Sequence, residues 1–340
     1  MPSTIPALDE HADSILSHSW HDLQLLSESP HPYGSRANDK VHDYILQRVR
    51  SIVGHENAKI NATVDEDMRP YLFRQDDVFD SSLPSGRVLY YESNNILVKV
   101  PGSDPSLPGV LVSAHYDSVP TAYGTTDDGA GIASMLGMLE AILHNNNDNT
   151  LPLRTIVFNF NNNEEFGLLG AESFFEHHWS KEVEFFVNLE GAGAGGRAVL
   201  FRGTDLSVVK HFASSRAPHG NSILQHGFDS RLINSETDYK IYSRNGLRGL
   251  DIAFYTPRNI YHTKDDSIQG ISKEALYHMY GNALDSTLSL ANAAEDSLDN
   301  CDRVVYFDIL GRYFYVLSLP ILFQMDIILL LLFPAITISL

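Results

Sequence analysis

The side chains of this sequence that could do chemistry follow strand-like segments. An apolar run at residues 110–114 predicts a buried strand, and His115 and Asp117 come directly after it. Asp127 comes ten residues later, before a glycine-containing turn and a segment with helical spacing, so its carboxylate is expected at a helix start. Open α/β sheets bind ligands at the carboxyl ends of their strands. We therefore expect these side chains to meet at one edge of a sheet.

More acidic side chains and a second histidine are expected at the same edge. Each of them follows a strand-like run or lies in a loop after one. Two imidazoles and three carboxylates suit a borderline-soft divalent ion such as zinc, which can activate water. A tetrahedral catalytic zinc with an open position takes fewer than five protein ligands, so the set indicates two ions that share a carboxylate. The candidate ligands are His115, Asp127, Glu165, Glu190 and His262.

Each of these residues also has an ordinary structural explanation when it is taken alone. Asp127 could be a helix N-cap, and Glu165 with the preceding Glu164 could be a solvated helix start. His262 could be an exposed loop residue. One shared site explains all five positions together, whereas separate explanations require several coincidences. Asp265 and Asp266 are interpreted as a helix cap and a surface charge.

The elements that must position these residues are predicted from periodicity. Beyond residue 110, strand-like and helix-like segments alternate, which is typical of a parallel sheet with helices on both faces. We predict an α/β fold with a mixed, mostly parallel central sheet. The strand-like runs before it predict an antiparallel meander at one sheet edge, and residues 144–150 a solvated loop. Helices are expected at 9–27, 38–53, 236–242 and 273–293, and the early strands at 59–64, 88–92 and 95–100.

Composition excludes several classes of function. The formal net charge of −19 argues against nucleic acid as a partner, because phosphate binding needs a basic surface. Cys301 is the only cysteine, so the sequence has neither an intrachain disulfide nor a zinc–thiolate cluster. Asn61 begins a glycosylation sequon, a triplet that is common by chance.

Five short blocks of the sequence, taken together, resemble the M28 family of zinc exopeptidases. Within that family the sequence is similar to the fungal vacuolar membrane proteases. The resemblance covers roughly residues 10–340, and the blocks occur in the family's order. They are His-Tyr-Asp at 115–117, Asp-Asp-Gly-Ala-Gly at 127–131, Asn-Glu-Glu-Phe-Gly-Leu-Leu-Gly at 163–170, Asn-Leu-Glu-Gly at 188–191 and Tyr-His-Thr at 261–263.

The resemblance implies a zinc-exopeptidase-like fold and a role for each site residue. One Zn²⁺ would be bound by His115 and Glu190, a second by Glu165 and His262, and Asp127 would bridge the two. The resemblance also implies peptide substrates and a vacuolar membrane location with the catalytic domain in the lumen. Three further residues receive roles: Glu164 as general base, Asp117 as the carboxylate that orients His115, and Tyr261 as a hydrogen-bond donor to the developing oxyanion.

The ends of the chain are interpreted with the same resemblance. Residues 1–302 are predicted to be the metallopeptidase domain, and 303–340 a juxtamembrane segment with the start of a transmembrane helix, because residues 317–340 are mostly apolar. The membrane relatives usually begin with a transmembrane helix that this sequence lacks, so we expect a shortened form of a longer protein. Many family members also have Asp where this sequence has Glu190.

The expected activity is that of an aminopeptidase. The predicted rim is rich in carboxylates, which suit a free α-amino group, and no Lys or Arg lies within the five blocks. A carboxypeptidase would use such a cation, and Arg231, Lys240 and Arg258 are the nearest candidates. Two other readings stay open: a single-zinc enzyme like glutaminyl cyclase, and a non-catalytic ectodomain of the same fold.

Overall fold

The computed structural model describes residues 4–56, 58–75, 87–144 and 151–339, and its strands and helices account for most of that part of the chain. The strands are β1 (Thr63–Asp67), β2 (Pro70–Gln75), β3 (Arg87–Glu92), β4 (Asn95–Val100), β5 (Gly109–His115), β6 (Ile156–Asn161), β7 (Val183–Gly191), β8 (Ala198–Gly203), β9 (Arg248–Phe254), β10 (Val304–Ile309) and β11 (Tyr313–Ser318). The α-helices are α1 (Glu10–Leu26), α2 (Arg36–Val53), α3 (Ala130–Leu143), α4 (Leu169–Phe174), α5 (Leu206–Ala213), α6 (Ser222–Asp229), α7 (Tyr239–Arg244), α8 (Lys273–Ala291) and α9 (Leu319–Ser339).

A seven-stranded sheet with the order β1-β4-β6-β5-β7-β9-β8 forms the centre of the molecule. The four neighbouring strands β6, β5, β7 and β9 are parallel. The outer strands β4, β1 and β8 each run antiparallel to their inner neighbour. The predicted mixed sheet is therefore confirmed, with three parallel and three antiparallel pairings. All four parallel strands end at one edge, where the chain continues into the loops that carry the candidate site.

Both faces of the sheet are covered by helices. Alternate side chains of β5 enter different apolar clusters, because successive residues of a strand point to opposite faces. Val110 and Val112 pack in the larger cluster with residues of α1, α2, α3, α5 and α8. Leu111 packs in the smaller cluster with residues of α4 and α7. The central strands are buried on both sides, which explains why they are continuous apolar runs in the sequence.

The longest predicted helices occur where periodicity placed them, with side chains that cap their first turns. Asp9 accepts a hydrogen bond from the amide of Ala12 at the start of α1. Ser35 does the same for Asn38 in α2, and Ser272 for Ala275 in α8. A capped N-terminus satisfies amides that have no partner inside the helix. The expected helix at 236–242 begins later, at Tyr239.

The predicted antiparallel meander at the sheet edge is wrong. The strand expected at 59–64 begins at Thr63, and β2 was missed. β2 and β3 pair with each other in a separate two-stranded sheet, while β1 pairs with β4. The sequence of β1, Thr-Val-Asp-Glu-Asp, contains three acidic residues, which are depleted in strands. Pairing with β4 determines this strand rather than its own propensity.

The hairpin β10–β11 packs against the folded body of the protein. Val304 and Tyr306 belong to the larger apolar cluster. The hydroxyl of Tyr306 donates a hydrogen bond to the carbonyl of Phe201 at 2.9 Å, and Phe314 lies edge-on to Phe212 with ring centres 5.4 Å apart. The core therefore includes residues beyond 302, although the division of the chain at that position stays a prediction.

The C-terminal membrane-type segment expected from the sequence is not supported. Among the described residues, no helix, α9 included, combines the length and apolar character needed to cross a membrane. The loop predicted at 144–150 falls, apart from its first residue, outside the described residues.

Candidate metal centre

Two overlapping groups of histidine and acidic side chains lie at the carboxyl edge of the parallel strands. The first contains His115, Asp127 and Glu190, and the second contains Asp127, Glu165 and His262. Within each group, the candidate ligand atoms lie within 4.8 Å of one another. The structure thus brings together all five residues selected from the sequence, and Asp127 is common to both groups.

Five different loops and strand ends contain these residues. His115 is the last residue of β5, and Glu190 is near the end of β7. Glu165 follows β6, and His262 follows β9 in the loop that leads to α8. Asp127 lies in the turn Thr125–Gly129 just before α3. Parallel strands with neighbouring ends are therefore the reason that residues far apart in the sequence meet here.

Asp127 directs one carboxylate oxygen to each histidine. Its Oδ1 lies 3.3 Å from Nε2 of His115, and its Oδ2 lies 3.0 Å from Nε2 of His262. Glu190 Oε1 lies 3.4 Å from His115 Nε2, and Glu165 Oε2 lies 3.2 Å from His262 Nε2. This arrangement is that of a carboxylate placed between two binding positions, each with one imidazole and one further carboxylate.

The turn that carries Asp127 is fixed by a buried acid that the sequence placed on the surface. Asp266 is buried, and its Oδ1 accepts hydrogen bonds from the amide and the hydroxyl of Thr126, both at 2.8 Å. The surface interpretation of Asp266 is therefore wrong, because the loop after β9 folds back over this turn. On its other side the turn touches Gly191, where a Cβ would lie 1.7 Å from the carbonyl oxygen of Thr126.

Several ligand atoms of the cluster are buried without a hydrogen bond. They are Glu165 Oε1, Glu190 Oε2 and His262 Nε2. Although His262 Nε2 is close to two carboxylates, none of these contacts has hydrogen-bond geometry. Buried polar groups in folded proteins almost always have a partner. Imidazole nitrogens and carboxylate oxygens that converge in this way fit divalent zinc, which would satisfy them.

Burial and mutual repulsion shift the pKa values of the cluster. Burial raises the pKa of Glu190 to about 8, and burial with the charge of Asp127 raises the pKa of Glu165 to about 7. Burial lowers the pKa of His262, but its contacts with Asp127 and Glu165 outweigh this and raise it to about 10. Acids and imidazoles therefore share protons here. A bound cation would replace those protons, since metal ligands bind in their deprotonated form.

Glu164 lies beside the first group without belonging to it. Its Oε2 is 4.0 Å from His115 Nε2, and its side chain is buried. Burial and the charge of Glu190 raise the pKa of Glu164 well above its usual range. This carboxylate can therefore face a molecule bound at the cluster and hold a proton there.

Asp117 supports the site in two ways, one of which the sequence did not indicate. The backbone carbonyl of Asp117 accepts a hydrogen bond from His115 Nδ1 at 3.0 Å, whereas its carboxylate is 3.4 Å away. That carboxylate instead accepts hydrogen bonds from the amides of Glu164 at 3.0 Å and Glu165 at 3.3 Å. A proton on Nδ1 of His115 leaves the lone pair of Nε2 directed to the cluster.

Tyr261 packs directly on a candidate ligand. Its ring is stacked on the ring of His262, with centres 3.8 Å apart and an angle of 20° between the planes. Burial raises the pKa of the Tyr261 hydroxyl, and the negative charges of Asp127 and Glu164 raise it further. The hydroxyl therefore keeps its proton and can act as a donor.

Two further buried acids, Asp128 and Asp238, were not assigned to the site from the sequence. Asp128 follows Asp127, and burial raises its pKa well above the usual range. Asp238 accepts a hydrogen bond from Asn161 at 2.7 Å, and burial raises its pKa to about 7. Asn161 is paired with His115 across β5 and β6. The available signal was an acid just before a short helix, which is equally the signal of a helix cap.

The fold and the cluster together define a class of protein: metal-dependent hydrolases of mixed α/β fold, in which histidine and acidic side chains at the carboxyl edge of the sheet bind divalent ions. Residues 95–287, which include all five candidate ligands, match the model of Peptidase family M28. The chain belongs to peptidase family M28, and the resemblance found in the sequence is confirmed.

Individual relatives agree with this membership. A protein named vacuolar membrane protease from Saccharomyces cerevisiae (strain RM11-1a) is 49% identical over 342 residues, which cover 99% of this chain and 34% of that protein. The chain thus spans about a third of the length of this curated relative.

Solved structures share the fold at low sequence identity. The aminopeptidase from Aneurinibacillus sp. strain AM-1 has a TM-score of 0.60 and 14% identity, covering 84% of this chain and 96% of that one. The glutaminyl cyclase from Fimbriiglobus ruber has a TM-score of 0.58 and 14% identity, covering 85% of this chain and 98% of that one. At these identities the similarity concerns the fold.

Proposed function

We propose that this chain is a zinc-dependent peptidase with a two-zinc centre, and that it removes N-terminal residues from peptides. The observation that carries the proposal is the pair of overlapping ligand groups, in which Asp127 offers one oxygen to each. Membership of family M28 supports the peptidase class. His115 and Glu190 would bind one ion, Glu165 and His262 would bind the other, and Asp127 would bridge them.

The bound ions would supply a Lewis acid and a water of lowered pKa. Glu164 provides the proton transfer that hydrolysis requires. Its carboxylate takes a proton from the attacking water and delivers it to the nitrogen of the departing amine as the carbon–nitrogen bond breaks. Its raised pKa brings it toward the range in which a carboxylate works as base and then as acid near neutral pH. The Tyr261 hydroxyl donates a hydrogen bond to the carbonyl oxygen as negative charge develops on it.

The acidic rim supports recognition of a substrate's free amino terminus. An α-ammonium group is costly to bury without acidic partners, and Glu165, Glu190 and Asp127 surround the proposed cleavage position. N-acetylation of a peptide is expected to abolish cleavage. C-terminal amidation of a peptide longer than a dipeptide, whose C-terminus lies away from the cut bond, should leave cleavage intact. Chromatographic assay of the two modified peptides tests this directly. The reverse pattern would show an enzyme that works from the carboxyl end.

The glutaminyl-cyclase-like alternative shares the fold but uses one zinc ion. The second ligand group, with Glu165 and His262, favours the two-zinc peptidase. Incubation with a peptide that begins with Gln distinguishes the two, because a cyclase releases ammonia and forms a ring without cutting the chain. A non-catalytic ectodomain would be expected to lack a ligand or the base, and all five ligands and Glu164 are present here.

We further propose that the chain is part of a vacuolar membrane protein with its catalytic part in the lumen. The name of the Saccharomyces cerevisiae relative supports this location. Asn61 is exposed and could accept a glycan in the secretory pathway. Removal of N-linked glycans should increase the electrophoretic mobility of the native protein but not that of the Asn61→Gln variant. Equal mobility before and after the treatment would contradict glycosylation at Asn61.

A further inference from the structure

We propose that Arg258 is a specificity-determining residue that binds a carboxylate of the peptide substrate at the rim of the metal centre. The inference rests on the proposed peptidase function and adds a substrate class to it. That class is peptides with a carboxylate close to the bond that is cut, carried either by the side chain of an acidic N-terminal residue or by the C-terminus of the residue that follows.

The position of Arg258 is set by aromatic contacts that lead to a candidate ligand. Its guanidinium carbon lies 5.0 Å from the ring centre of Tyr261 and 5.8 Å from that of Tyr255. The Tyr261 ring is in turn stacked on His262 at 3.8 Å between centres. The Tyr261 ring therefore lies close both to the exposed guanidinium of Arg258 and to the imidazole of a candidate metal ligand.

The backbone around Arg258 is held in place. Arg258 begins the single turn Arg258–Ile260, four residues before His262. The preceding residue, Pro257, accepts a hydrogen bond through its carbonyl from the amide of Ala194, at 3.1 Å, in the loop after β7. The loop that follows Glu190 and the loop that precedes His262 are therefore joined next to Arg258, which fixes the base of its side chain relative to both ligand groups.

The charge of Arg258 has no acidic partner in the described part of the chain, in contrast to that of other arginines. Arg202, Arg216 and Arg248 each contact an aspartate, at 2.8, 2.6 and 2.8 Å. Within the described parts of the chain, no carboxylate lies within ion-pair distance of Arg258, which is exposed. This occurs in a sequence with 43 acidic and 24 basic residues. A cation beside an acidic cluster, without an acidic partner, is suited to an anion supplied by the substrate.

The chemistry of the side chain identifies that anion as a carboxylate. A guanidinium placed over aromatic rings keeps its N–H groups free to point outward in one plane, where they match the two oxygens of a carboxylate. A cavity of about 1050 Å³ adjoins the same loop, and its lining includes Tyr255 and Pro257. Carboxylates on either side of the cut bond would lie within a few bonds of the cleavage position.

The test compares matched substrates on the zinc-loaded full chain. One arm uses the p-nitroanilides of Glu and Leu, and the other uses the dipeptide Leu-Gly and its amide. Arg258→Gln is expected to lower kcat/KM for the carboxylate-bearing member of the responding pair by roughly 10- to 100-fold, mainly through KM. The neutral member should be unchanged. Arg258→Lys should retain part of the preference for the carboxylate-bearing substrate. Arg312→Gln, which removes an exposed charge at the β10–β11 turn, should retain all of that preference.

Each outcome decides a separate point. If Arg258→Gln lowers kcat/KM only for the Glu anilide, the bound carboxylate is that of the N-terminal side chain. If it lowers kcat/KM only for Leu-Gly, the bound carboxylate is the C-terminus. Equal kinetics for wild type and Arg258→Gln on all four substrates would overturn the inference. Absence of hydrolysis by the wild type would instead contradict the proposed function. Calorimetric binding of the same four compounds then decides about Arg258: selective loss of affinity for the carboxylate-bearing compounds supports its role, and unchanged affinities overturn it.

Discussion

Asp117 illustrates how much of the site depends on single buried side chains. Its carboxylate is fully buried and accepts hydrogen bonds from the amides of both Glu164 and Glu165. Its backbone carbonyl accepts a hydrogen bond from Nδ1 of His115. The same residue thus orients a candidate ligand and holds the loop that carries the proposed base. The sequence indicated the first role, through the carboxylate, because residues two apart on a strand share a face. The amide contacts depend on where the loop after β6 folds.

Replacement of Asp117 with Asn should therefore damage both stability and metal binding. An amide side chain cannot accept from both backbone amides, so one buried donor loses its partner at a cost of about 1–3 kcal/mol. Metal affinity or activity is expected to fall roughly 10- to 100-fold. Urea denaturation and zinc titration measure the two effects. Asp265→Asn, at an exposed position, serves as the control. Equal free energies of unfolding and equal zinc affinities for the two variants would contradict this role for Asp117.

Glu164→Gln tests the proposed base. The substitution keeps size and burial but removes the proton acceptor, so kcat should fall by roughly 10²- to 10⁴-fold. Zinc content should not change, because Glu164 belongs to neither ligand group. Glu176→Gln, an exposed change in the segment after α4, should leave kcat unaffected. A Glu164→Gln enzyme with full zinc content and near-normal turnover would remove Glu164 from the mechanism.

At the scale of elements, the sequence identified buried strands by their apolar runs, but it did not identify strands that face the surface. β5 and β6 are buried on both faces, so their apolar runs identified them and thereby the sites of His115 and Glu164. β1 is rich in acids and was misplaced. The directions of loops could not be predicted from the sequence either. Asp266 was interpreted as a surface charge, but its carboxylate accepts a hydrogen bond from the amide of Thr126. Such contacts depend on tertiary packing between distant segments.

The interface of α8 with β8 predicts a pH effect on stability. His278 is buried and accepts a hydrogen bond from the amide of Ala198. Burial, together with the charges of His219 and Arg197, lowers its pKa from 6.5 to about 4. The unfolded chain therefore binds a proton that the folded chain does not between about pH 6.5 and 4. The resulting stability is complete above pH 6.5 and is lost as the pH falls.

Between pH 7 and pH 5, this histidine alone should reduce the free energy of unfolding by about 2 kcal/mol. His278→Gln keeps an acceptor but cannot titrate in this range, so its pH slope should be shallower by that amount. His226→Gln, at an exposed position, should have the slope of the wild type. Urea denaturation at both pH values measures the slopes. Identical slopes for wild type and His278→Gln would show that His278 does not titrate as predicted.

The hairpin β10–β11 predicts a contrast between two tyrosines. Tyr306 is completely buried, whereas Tyr313 on the partner strand is 64% exposed. Tyr306→Ala should lower the free energy of unfolding by about 3–5 kcal/mol, as for other large buried aromatic residues. Tyr313→Ala should change it by no more than about 0.5 kcal/mol. Thermal or urea unfolding of the two variants tests whether the hairpin is part of the folded domain. Two equally small effects would place the hairpin outside it.

At the scale of the whole molecule, the site is a consequence of sheet topology. The four parallel strands bring five candidate ligands, between residues 115 and 262, to one edge, and the antiparallel outer strands limit the sheet on either side. The sequence was sufficient to select those five residues, because each follows a strand-like run or lies in a loop after one. It was insufficient for what surrounds them, such as the contacts of Tyr261 with Arg258 and His262, because these contacts depend on how a loop packs.

The zinc content of the purified full chain is the most direct test of the proposed two-zinc centre. Elemental analysis should find two zinc ions per wild-type chain and one per chain in His262→Ala, which removes a ligand from the second group only. His226→Ala, at an exposed histidine, should retain two. The aminopeptidase activity of the wild type should disappear on chelation and return with zinc. One zinc ion per fully active wild-type chain, unchanged by His262→Ala, would contradict the two-zinc centre.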